Sequence, residues 1–348
     1  MLLYIHIPFC DSKCFYCSFN SYTTKHHLKD EYIDALLKQL KYELKRFDVK
    51  SFESIFIGGG TPSTLKSKYY KKIFKTIEPF IDSDIEITIE ANPNSATKEW
   101  LKDIKDIGVN RVSFGAQSFN DEKLRFLGRA HSSKDTIKAV YNAKDIGFEN
   151  ISIDLIYDCS IDTKKMVEAD IKMALNLPIN HISTYALTLE ENTLFFKKRW
   201  VKKDDNDLAY FVANLIKDRF IQYEVSNFGI YFSKHNIGYW QHKDYIGVGS
   251  GAVGFLKDKR FYTKSSLEDY IKNPFNTETE NLSKKDLLIE KIFLGLRTIF
   301  GIDMKILDTK ILKRVDILKS EGKIYEKKGK IYNKNLFLAD EIALFLIE

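Results

Sequence analysis

Three cysteines near the start of the chain are the side chains with the clearest chemical potential. Cys10, Cys14 and Cys17 lie within eight residues, so their thiolates can face one centre if the backbone loops round it. Thiolates are soft ligands that suit an iron–sulfur cluster or zinc. A closed structural zinc site needs four protein ligands, whereas the remaining cysteine, Cys159, lies far away in the sequence. The spacing therefore predicts a metal-binding loop that leaves one metal position open.

A second group of polar residues stands at the ends of predicted strands. Glu90, Gln117 and Asp154 each lie at a strand end, on the face opposite the large aliphatic side chains. Gly59 and Gly60 end another strand and would let a ligand approach the backbone closely. Any one of these residues could be a solvated or turn residue. Their recurrence at the same level of successive strands favours a binding site.

Strands and helices alternate regularly through the first half of the chain. A buried-type apolar run predicts a strand at 55–57, and period-two apolar patterns predict strands at 3–7, 85–90, 112–117, 151–156 and 182–187. Apolar stripes at helical spacing predict helices at 28–47, 69–81, 98–107, 133–146 and 163–175. Six strands separated by helices predict a parallel sheet with right-handed crossovers, curled into a full or partial barrel. In such a barrel the chemistry gathers at the carboxyl ends of the strands.

The alternation stops near residue 190, and two further segments follow. The first is rich in aromatic residues and centres on the stretch His235-Asn236-Ile237-Gly238-Tyr239-Trp240. From residue 283 helical stripes return, and 323–332 predicts a hairpin around Gly329. A winged helix can bind DNA, but the charges here are mixed, which favours a lid or packing module over nucleic-acid binding. We therefore divide the chain into residues 1–190, 191–280 and 281–348.

The composition is that of an ordinary globular protein. Of the 348 residues, 44% are hydrophobic and 29% charged, and the net charge of +6 is spread along helix faces, which is typical of a solvated surface. No apolar run approaches the roughly 18 to 20 residues that span a membrane. Met1 leads straight into the first predicted strand, so we expect no signal peptide. A cytoplasmic location, where thiols stay reduced, follows as the expectation.

The cysteine motif resembles a known signature. Cys-x3-Cys-x2-Cys, with Tyr16 directly before the third cysteine, is similar to that of the radical S-adenosylmethionine (SAM) superfamily. The resemblance implies that three thiolates hold three irons of a 4Fe-4S cluster, while SAM chelates the fourth. Nearly the whole chain also resembles the oxygen-independent coproporphyrinogen III oxidases and their sister group, the HemW haem chaperones. The segments that carry this resemblance are 4–10, 58–62, 90–93, 115–119, 128–131 and 153–157.

The resemblance implies both a fold and a set of site residues. The fold is α/β, a partial (β/α)6 radical SAM barrel with a small, mostly helical, winged-helix-like C-terminal domain. The residues implied for SAM are Tyr4, Tyr16, Gly59, Gly60, Thr61, Glu90, Gln117, Arg129, Asp154 and Ala186. Arg129 and the Gly60 region would take the carboxylate, and Glu90 the amino group. Asp154 would bind the ribose hydroxyls, and Tyr16 the adenine edge.

One local departure separates this chain from the family pattern. After Tyr157 the family usually continues Gly-Leu-Pro, whereas this chain has Asp158-Cys159-Ser160. The turn beside the ribose-binding position must therefore be built differently. We interpret Cys159 as a structural residue rather than a fourth ligand.

Two classes of function compete within the resemblance. His235, Tyr239 and Trp240 match the HemW motif whose histidine is implicated in haem binding, although a lone histidine is usually a satisfied polar residue. The resemblance implies that the oxidases carry a longer motif, with a further cysteine at the position where this chain has Phe19. They also carry a segment before the motif that we do not expect here. These features favour a haem chaperone over an enzyme with coproporphyrinogen oxidase turnover.

The favoured interpretation has definite cofactors and partners. The protein would bind a 4Fe-4S cluster, SAM and haem, and would deliver haem to acceptor proteins, membrane-associated respiratory enzymes among them. A homodimer is compatible with the sequence. The alternative is an oxygen-independent coproporphyrinogen III oxidase, which performs a radical SAM oxidative decarboxylation in porphyrin biosynthesis. A third option, a radical SAM enzyme with an unrelated substrate, stays open because many chemistries share the barrel.

Overall fold

The computed structural model describes residues 1–348 as an α/β protein built on one large sheet. The strands are β1 Leu2–Ile7, β2 Ser54–Gly59, β3 Glu86–Ala91, β4 Arg111–Gln117, β5 Asn150–Tyr157, β6 His181–Ala186, β7 Ile221–Glu224, β8 Asn227–Gly229, β9 Tyr245–Val248, β10 Val253–Leu256, β11 Lys259–Thr263, β12 Thr277–Asn281, β13 Ile302–Asp303, β14 Ile324–Lys327 and β15 Lys330–Asn333. The helices are α1 Lys29–Arg46, α2 Ser67–Ile77, α3 Lys98–Asp106, α4 Asp121–Phe126, α5 Ser133–Ile146, α6 Lys164–Asn176, α7 Asp207–Ile216, α8 Lys234–Trp240, α9 Leu267–Lys272, α10 Lys284–Leu296, α11 Thr309–Ser320 and α12 Ala339–Ile347. None of these helices combines the length and the apolar character that crossing a membrane requires.

The six predicted strand–helix units form the centre of the molecule. Strands β1 to β6 lie side by side in chain order, and each pair is parallel. Alternate side chains such as Ile5, Ile57 and Ile89 are fully buried in a core of 53 residues, which they share with the helices. The opposite, inner face carries polar residues, including Glu90 and Asp154. The predicted fold class is confirmed, and α5 has the predicted bounds.

The aromatic-rich segment extends this sheet at both edges. Strand β9 pairs in parallel with β1, with Leu2 opposite Tyr245, and β10 to β12 continue the sheet in antiparallel order. At the other edge β8 and β7 pair antiparallel beyond β6. The sequence analysis found no strands here, because each is only three to five residues long, and the pairings of β9 with β1 and of β8 with β6 join segments that are distant in the chain. The segment shares the barrel's core through residues such as Phe228 and Val248.

The last part of the chain has a core of its own. Helices α10 to α12 and the three-stranded sheet β13-β15-β14 enclose 13 buried residues. The predicted hairpin is β14 and β15, and Gly329 between them has a positive φ of 73°, which glycine adopts without strain. This small unit packs beside the barrel, where Arg297 forms a 3.1 Å ion pair with the buried Glu224. The division of the chain at 190 and 280 remains a proposal.

Candidate functional site

The three clustered cysteines lie on the loop that connects β1 to α1. The base of this loop is fixed by two backbone hydrogen bonds, from Cys10 to the Tyr22 carbonyl and from Tyr22 to the Pro8 carbonyl. Cys10 is buried, while Cys14 and Cys17 are partly exposed. The loop therefore presents one inner and two outer thiols just beyond the carboxyl end of β1.

The surroundings of the thiols fit a cluster better than a single ion. No set of three His, Cys, Asp or Glu side chains converges closely enough to hold one metal ion, whereas an iron–sulfur cluster gives each thiolate its own iron. Burial raises the pKa of Cys10 and of Cys17, while hydrogen bonds and Lys13 lower it in part. A metal that replaces these protons relieves the cost of the buried charge.

A chain of hydrogen bonds, here called the polar bridge, joins two of the cysteines. Arg129 Nη1 donates to Cys14 Sγ at 3.3 Å, and its Nη2 donates to Asn92 Oδ1 at 2.7 Å. Asn92 Nδ2 donates to Thr61 Oγ1 at 3.3 Å, and this hydroxyl donates to Cys10 Sγ at 3.3 Å. The bridge therefore gives each of these two sulfurs one hydrogen-bond donor.

The bridge includes one residue that the sequence analysis did not assign. Asn92 lies just after β3, where its backbone N–H also donates to Ser63 Oγ at 3.0 Å. Its position directly after Glu90-Ala91, at the end of a predicted strand, was the available signal. Arg129 Nη2 also donates to the Gly115 carbonyl at 2.7 Å, while its Nε is buried without a partner. A ligand carboxylate beside Arg129 would supply that missing acceptor.

The glycines at the end of β2 are needed for packing against β1. Gly59 has a φ of 113°, and a Cβ there would lie 2.5 Å from the His6 ring. A Cβ on Gly60 would lie 2.9 Å from the carbonyl oxygens of Ile7 and Phe9. Their N–H groups serve different partners: Gly60 donates to Ile7, and Gly59 donates to Glu90 Oε2 at 3.0 Å.

Two carboxylates face each other on the inner surface of the sheet. Burial first, and then the charge of Asp154, raise the pKa of Glu90 to about 7. Burial also raises the pKa of Asp154, against hydrogen bonds from Ser183 and Ser113 and the charge of Arg111. Two acids that repel each other in a desolvated site are stabilised by a bound cation. The geometry thus suits a ligand with an amino group or another positive centre beside Glu90.

The remaining predicted residues surround this region in different ways. Tyr4 shares a 2.9 Å hydrogen bond with His6, and burial followed by the Glu90 charge raises its pKa. Burial raises the pKa of Tyr16 beside Arg129. Gln117 has a φ of 64° and its side chain approaches Gly115, as Arg129 does. Ala186 is exposed at the end of β6.

The unusual turn after β5 has a simple explanation. Asp158 has a φ of 69°, the left-handed conformation that glycine favours and that aspartate tolerates better than most residues. Its carboxylate accepts a 3.0 Å hydrogen bond from the Asp205 N–H. Cys159 is fully buried in a small apolar cluster with Leu127 and Phe195, and burial raises its pKa to about 12. These contacts match those of a structural cysteine.

His235 lies apart from the strand-end residues. It stands near the start of α8, and its Nδ1 shares a 2.9 Å hydrogen bond with Ser54, the first residue of β2. Its N–H donates to Glu86, the first residue of β3, at 3.0 Å. The structure therefore places His235 toward the amino ends of the strands, whereas the cysteine loop and Glu90 lie at the carboxyl ends. Its assignment to haem stays a proposal.

The imidazole of His235 is fully enclosed. Its exposed fraction is 0%, and burial lowers its pKa to about 3, so the ring is neutral at physiological pH. Phe56 and Tyr239 flank it, with ring centroids 5.2 and 4.7 Å away. Its Nε2 is buried and has no hydrogen-bond partner. A buried nitrogen without a partner costs free energy, which a ligand at that atom would recover.

The chain is similar to several known proteins. Residues 4–174 match the Radical SAM superfamily. The chain is 35% identical to a protein of Bacillus subtilis named Heme chaperone HemW, over 95% of this chain and 92% of the relative. A protein of the same name from Lactococcus lactis is 37% identical, over 86% of this chain and 82% of the relative.

A solved structure shares the fold. Coproporphyrinogen III oxidase (HemN) from Escherichia coli, described as a radical SAM enzyme, superposes with a TM-score of 0.84. The alignment covers 99% of this chain and 89% of the other, at 22% sequence identity. At that identity the likeness shows a common fold, which includes both the sheet and the C-terminal unit.

Proposed function

The chain belongs to the radical SAM superfamily and, within it, to the HemW family, and from this premise we propose that it is a haem chaperone. It would hold a 4Fe-4S cluster through Cys10, Cys14 and Cys17 and bind SAM at the adjoining strand ends. Haem would be its cargo, for transfer to acceptor proteins. We propose that this transfer takes place in the cytoplasm, where reduced thiols can retain a cluster.

The observation that carries the cofactor assignment is the polar bridge. It joins two of the three thiols to Thr61 and Asn92, which follow β2 and β3, and Glu90 lies two residues before Asn92, so the metal site adjoins the charged ligand site. When bound, the cluster and SAM supply one-electron reductive chemistry. The chain's own residues orient these groups: Arg129 offers Nε to a carboxylate, and Glu90 with Asp154 attracts a cationic group.

The chaperone assignment is supported by the relatives and by His235. Proteins named Heme chaperone HemW match the chain over most of its length. His235 keeps a neutral imidazole with an unpartnered Nε2, which is the form that binds iron. The position where the oxidases have a further cysteine is Phe19, whose side chain is 63% exposed. The oxidase alternative rests on the shared fold alone.

One preparation of the protein can test both the chaperone assignment and the oxidase alternative. The protein is reconstituted anaerobically with iron and sulfide, titrated with haem, and assayed for conversion of coproporphyrinogen III. We expect one cluster per chain, about one equivalent of bound haem, and no decarboxylation. Robust decarboxylation by the cluster-loaded protein would replace the chaperone by the oxidase. A protein that carries the cluster but binds no haem would contradict the chaperone proposal and leave a radical SAM protein of another function.

A further inference from the structure

A large cavity lies beside β1, away from the helices that cover the outer face of the sheet. Its volume is about 740 Å³, within the range of roughly 300 to 1,000 Å³ typical of small-molecule and cofactor sites. The inner faces of β1, β9 and β10 form one wall through Tyr4, Tyr245 and Phe255. Helix α10 forms the opposite wall through Phe293 and Leu294. The cavity is thus a slot between two apolar walls, a shape that suits a large flat ligand.

One end of the slot reaches the cysteine loop. Ser18, Phe19 and Asn20 follow Cys17 directly and line the cavity. Because Phe19 is 63% exposed, this end opens to solvent beside the loop. A flat ligand in the slot would therefore pass close to the metal-binding loop.

Polar side chains also line the cavity, among them the buried His6. Arg260 forms a 2.7 Å ion pair with Glu290, and His242 shares a 2.8 Å hydrogen bond with the same carboxylate. Lys243 pairs with Glu53 at 2.5 Å. A ligand that carries carboxylates would compete with Glu290 and Glu53 for these two cations of the lining.

Tyr239 connects the slot to His235. The two residues are four positions apart on α8 and so lie on one face of the helix. The Tyr239 ring lines the cavity and packs edge-on against the His235 ring, with centroids 4.7 Å apart. Tyr239 is half-buried, whereas His235 has no exposed surface. One aromatic ring therefore stands between the cavity and the histidine with the unpartnered Nε2.

We propose that the slot receives the porphyrin plane of the cargo, and that Tyr239 is a gate whose rotation lets His235 Nε2 reach the iron. This inference rests on the proposed haem-carrying function and adds the location of the cargo and the residue that controls its ligation. Because the Tyr239 ring lines the cavity, a change of its rotamer has the space of the slot to move into. The Phe56 ring on the other side of His235 stays packed against Tyr4, with centroids 6.3 Å apart, so the opening is on the cavity side.

Two probes separate occupation of the slot from ligation of the metal. Haem can do both, whereas iron-free protoporphyrin IX can only occupy the slot. Val253 lines the cavity, and Val253→Trp fills it. We expect this variant to bind both probes at least about tenfold more weakly, because the apolar contact area is lost. Ile317→Trp, at an exposed position on α11, is the matched control and should bind as the parent protein does.

The gate is tested by kinetics. With Tyr239→Ala, the spectral change that marks histidine ligation of haem should appear several-fold faster, while Tyr239→Phe, which keeps the ring, should behave as the parent protein. His235→Ala should abolish that spectral change and leave protoporphyrin IX binding intact. Circular dichroism confirms that each variant is folded.

The outcomes distinguish this inference from the function on which it rests. If the parent protein binds haem and folded Val253→Trp binds both probes equally well, the slot is not the site and the chaperone proposal stands. If Tyr239→Ala and Tyr239→Phe ligate haem at the parent rate, the gate is wrong. If the parent protein binds neither probe, the chaperone proposal and this inference fall together.

Discussion

The guanidinium of Arg129 and the side-chain amide of Asn92 meet at 2.7 Å, midway along the hydrogen bonds that run from Cys14 to Cys10. In this polar bridge Arg129 donates to Cys14 and to Asn92. Asn92 donates in turn to Thr61, and Thr61 donates to Cys10. Asn92 is the only member that both accepts and donates through different atoms of one side chain, so it sets the relative position of the other two. Its loss should disturb both thiols together.

Asn92→Ala should therefore weaken retention of the cluster. We expect iron to be released to a chelator about tenfold faster, which corresponds to ~1–2 kcal/mol for buried groups left without partners. Asn92→Asp keeps the acceptor for Arg129 but loses the donor to Thr61, and should fall in between. The control is Asn94→Ala, two residues further along at an exposed position. Equal release rates for all four proteins would show that the bridge does not support the cluster.

The four cysteines should separate into two classes. Alanine at Cys10, Cys14 or Cys17 should remove most of the bound iron and sulfide. Cys159→Ala should keep the full iron content and lower the unfolding free energy by about 1 kcal/mol, since it removes a small buried side chain from an apolar cluster. Iron and sulfide analysis and urea denaturation measure the two effects. Loss of the cluster from Cys159→Ala to the same extent as from Cys14→Ala would contradict this division.

Binding of SAM should depend on the charge of Glu90. The pKa of this carboxyl is about 7 in the unliganded protein, so the group is largely protonated at pH 6 and ionised at pH 8. A cationic amino group prefers the ionised form, and the affinity for SAM should rise across this interval. Glu90→Gln should bind weakly and without this pH dependence, as measured by calorimetry on reconstituted protein. A parent protein whose affinity is flat from pH 6 to 8 would exclude Glu90 as the partner of the amino group.

Glu90 also makes a prediction about stability without ligand. Its folded pKa of about 7 lies above the ordinary glutamate value of 4.5, so between these values the folded state binds more protons than the unfolded state. Unfolding then becomes easier as the pH rises through this interval. The stability of the parent protein relative to Glu90→Gln should therefore fall from pH 5 to pH 7.5 in urea denaturation. A constant difference would mean that this carboxyl titrates normally.

A buried histidine should give the opposite trend. Burial first, and then the charge of Arg129, lower the pKa of His131 to about 4 from its ordinary 6.5. Between these two values the unfolded chain binds a proton that the folded chain does not bind. The free energy of unfolding therefore decreases as the pH falls through this interval. His131→Gln should thus gain stability relative to the parent protein on going from pH 7.5 to pH 5. A difference in stability that stays constant from pH 7.5 to pH 5 would contradict this prediction for His131.

Local sequence patterns were enough to predict the barrel and its polar face. They could not predict contacts between segments that are distant in the chain. Alternation along β3, β4 and β5 was enough to set Glu90, Gln117 and Asp154 at one end of the sheet, because parallel strands end at the same edge. No local signal joins Tyr245 to Leu2 across the sheet. The position of His235 likewise depends on how α8 folds back on Glu86. The roles assigned to these residues in binding stay predictions.

The pairing of β9 with β1 has a consequence for the order of events during synthesis. The strand that leads into the cysteine loop has neighbours on both sides, and one of them is made only when residues 245–248 have been translated. Until then the nascent chain exposes an open strand edge next to the three thiols. A ribosome-bound chain that ends before residue 245 should therefore lack an ordered cysteine loop. Metal should then bind only after most of the polypeptide has emerged.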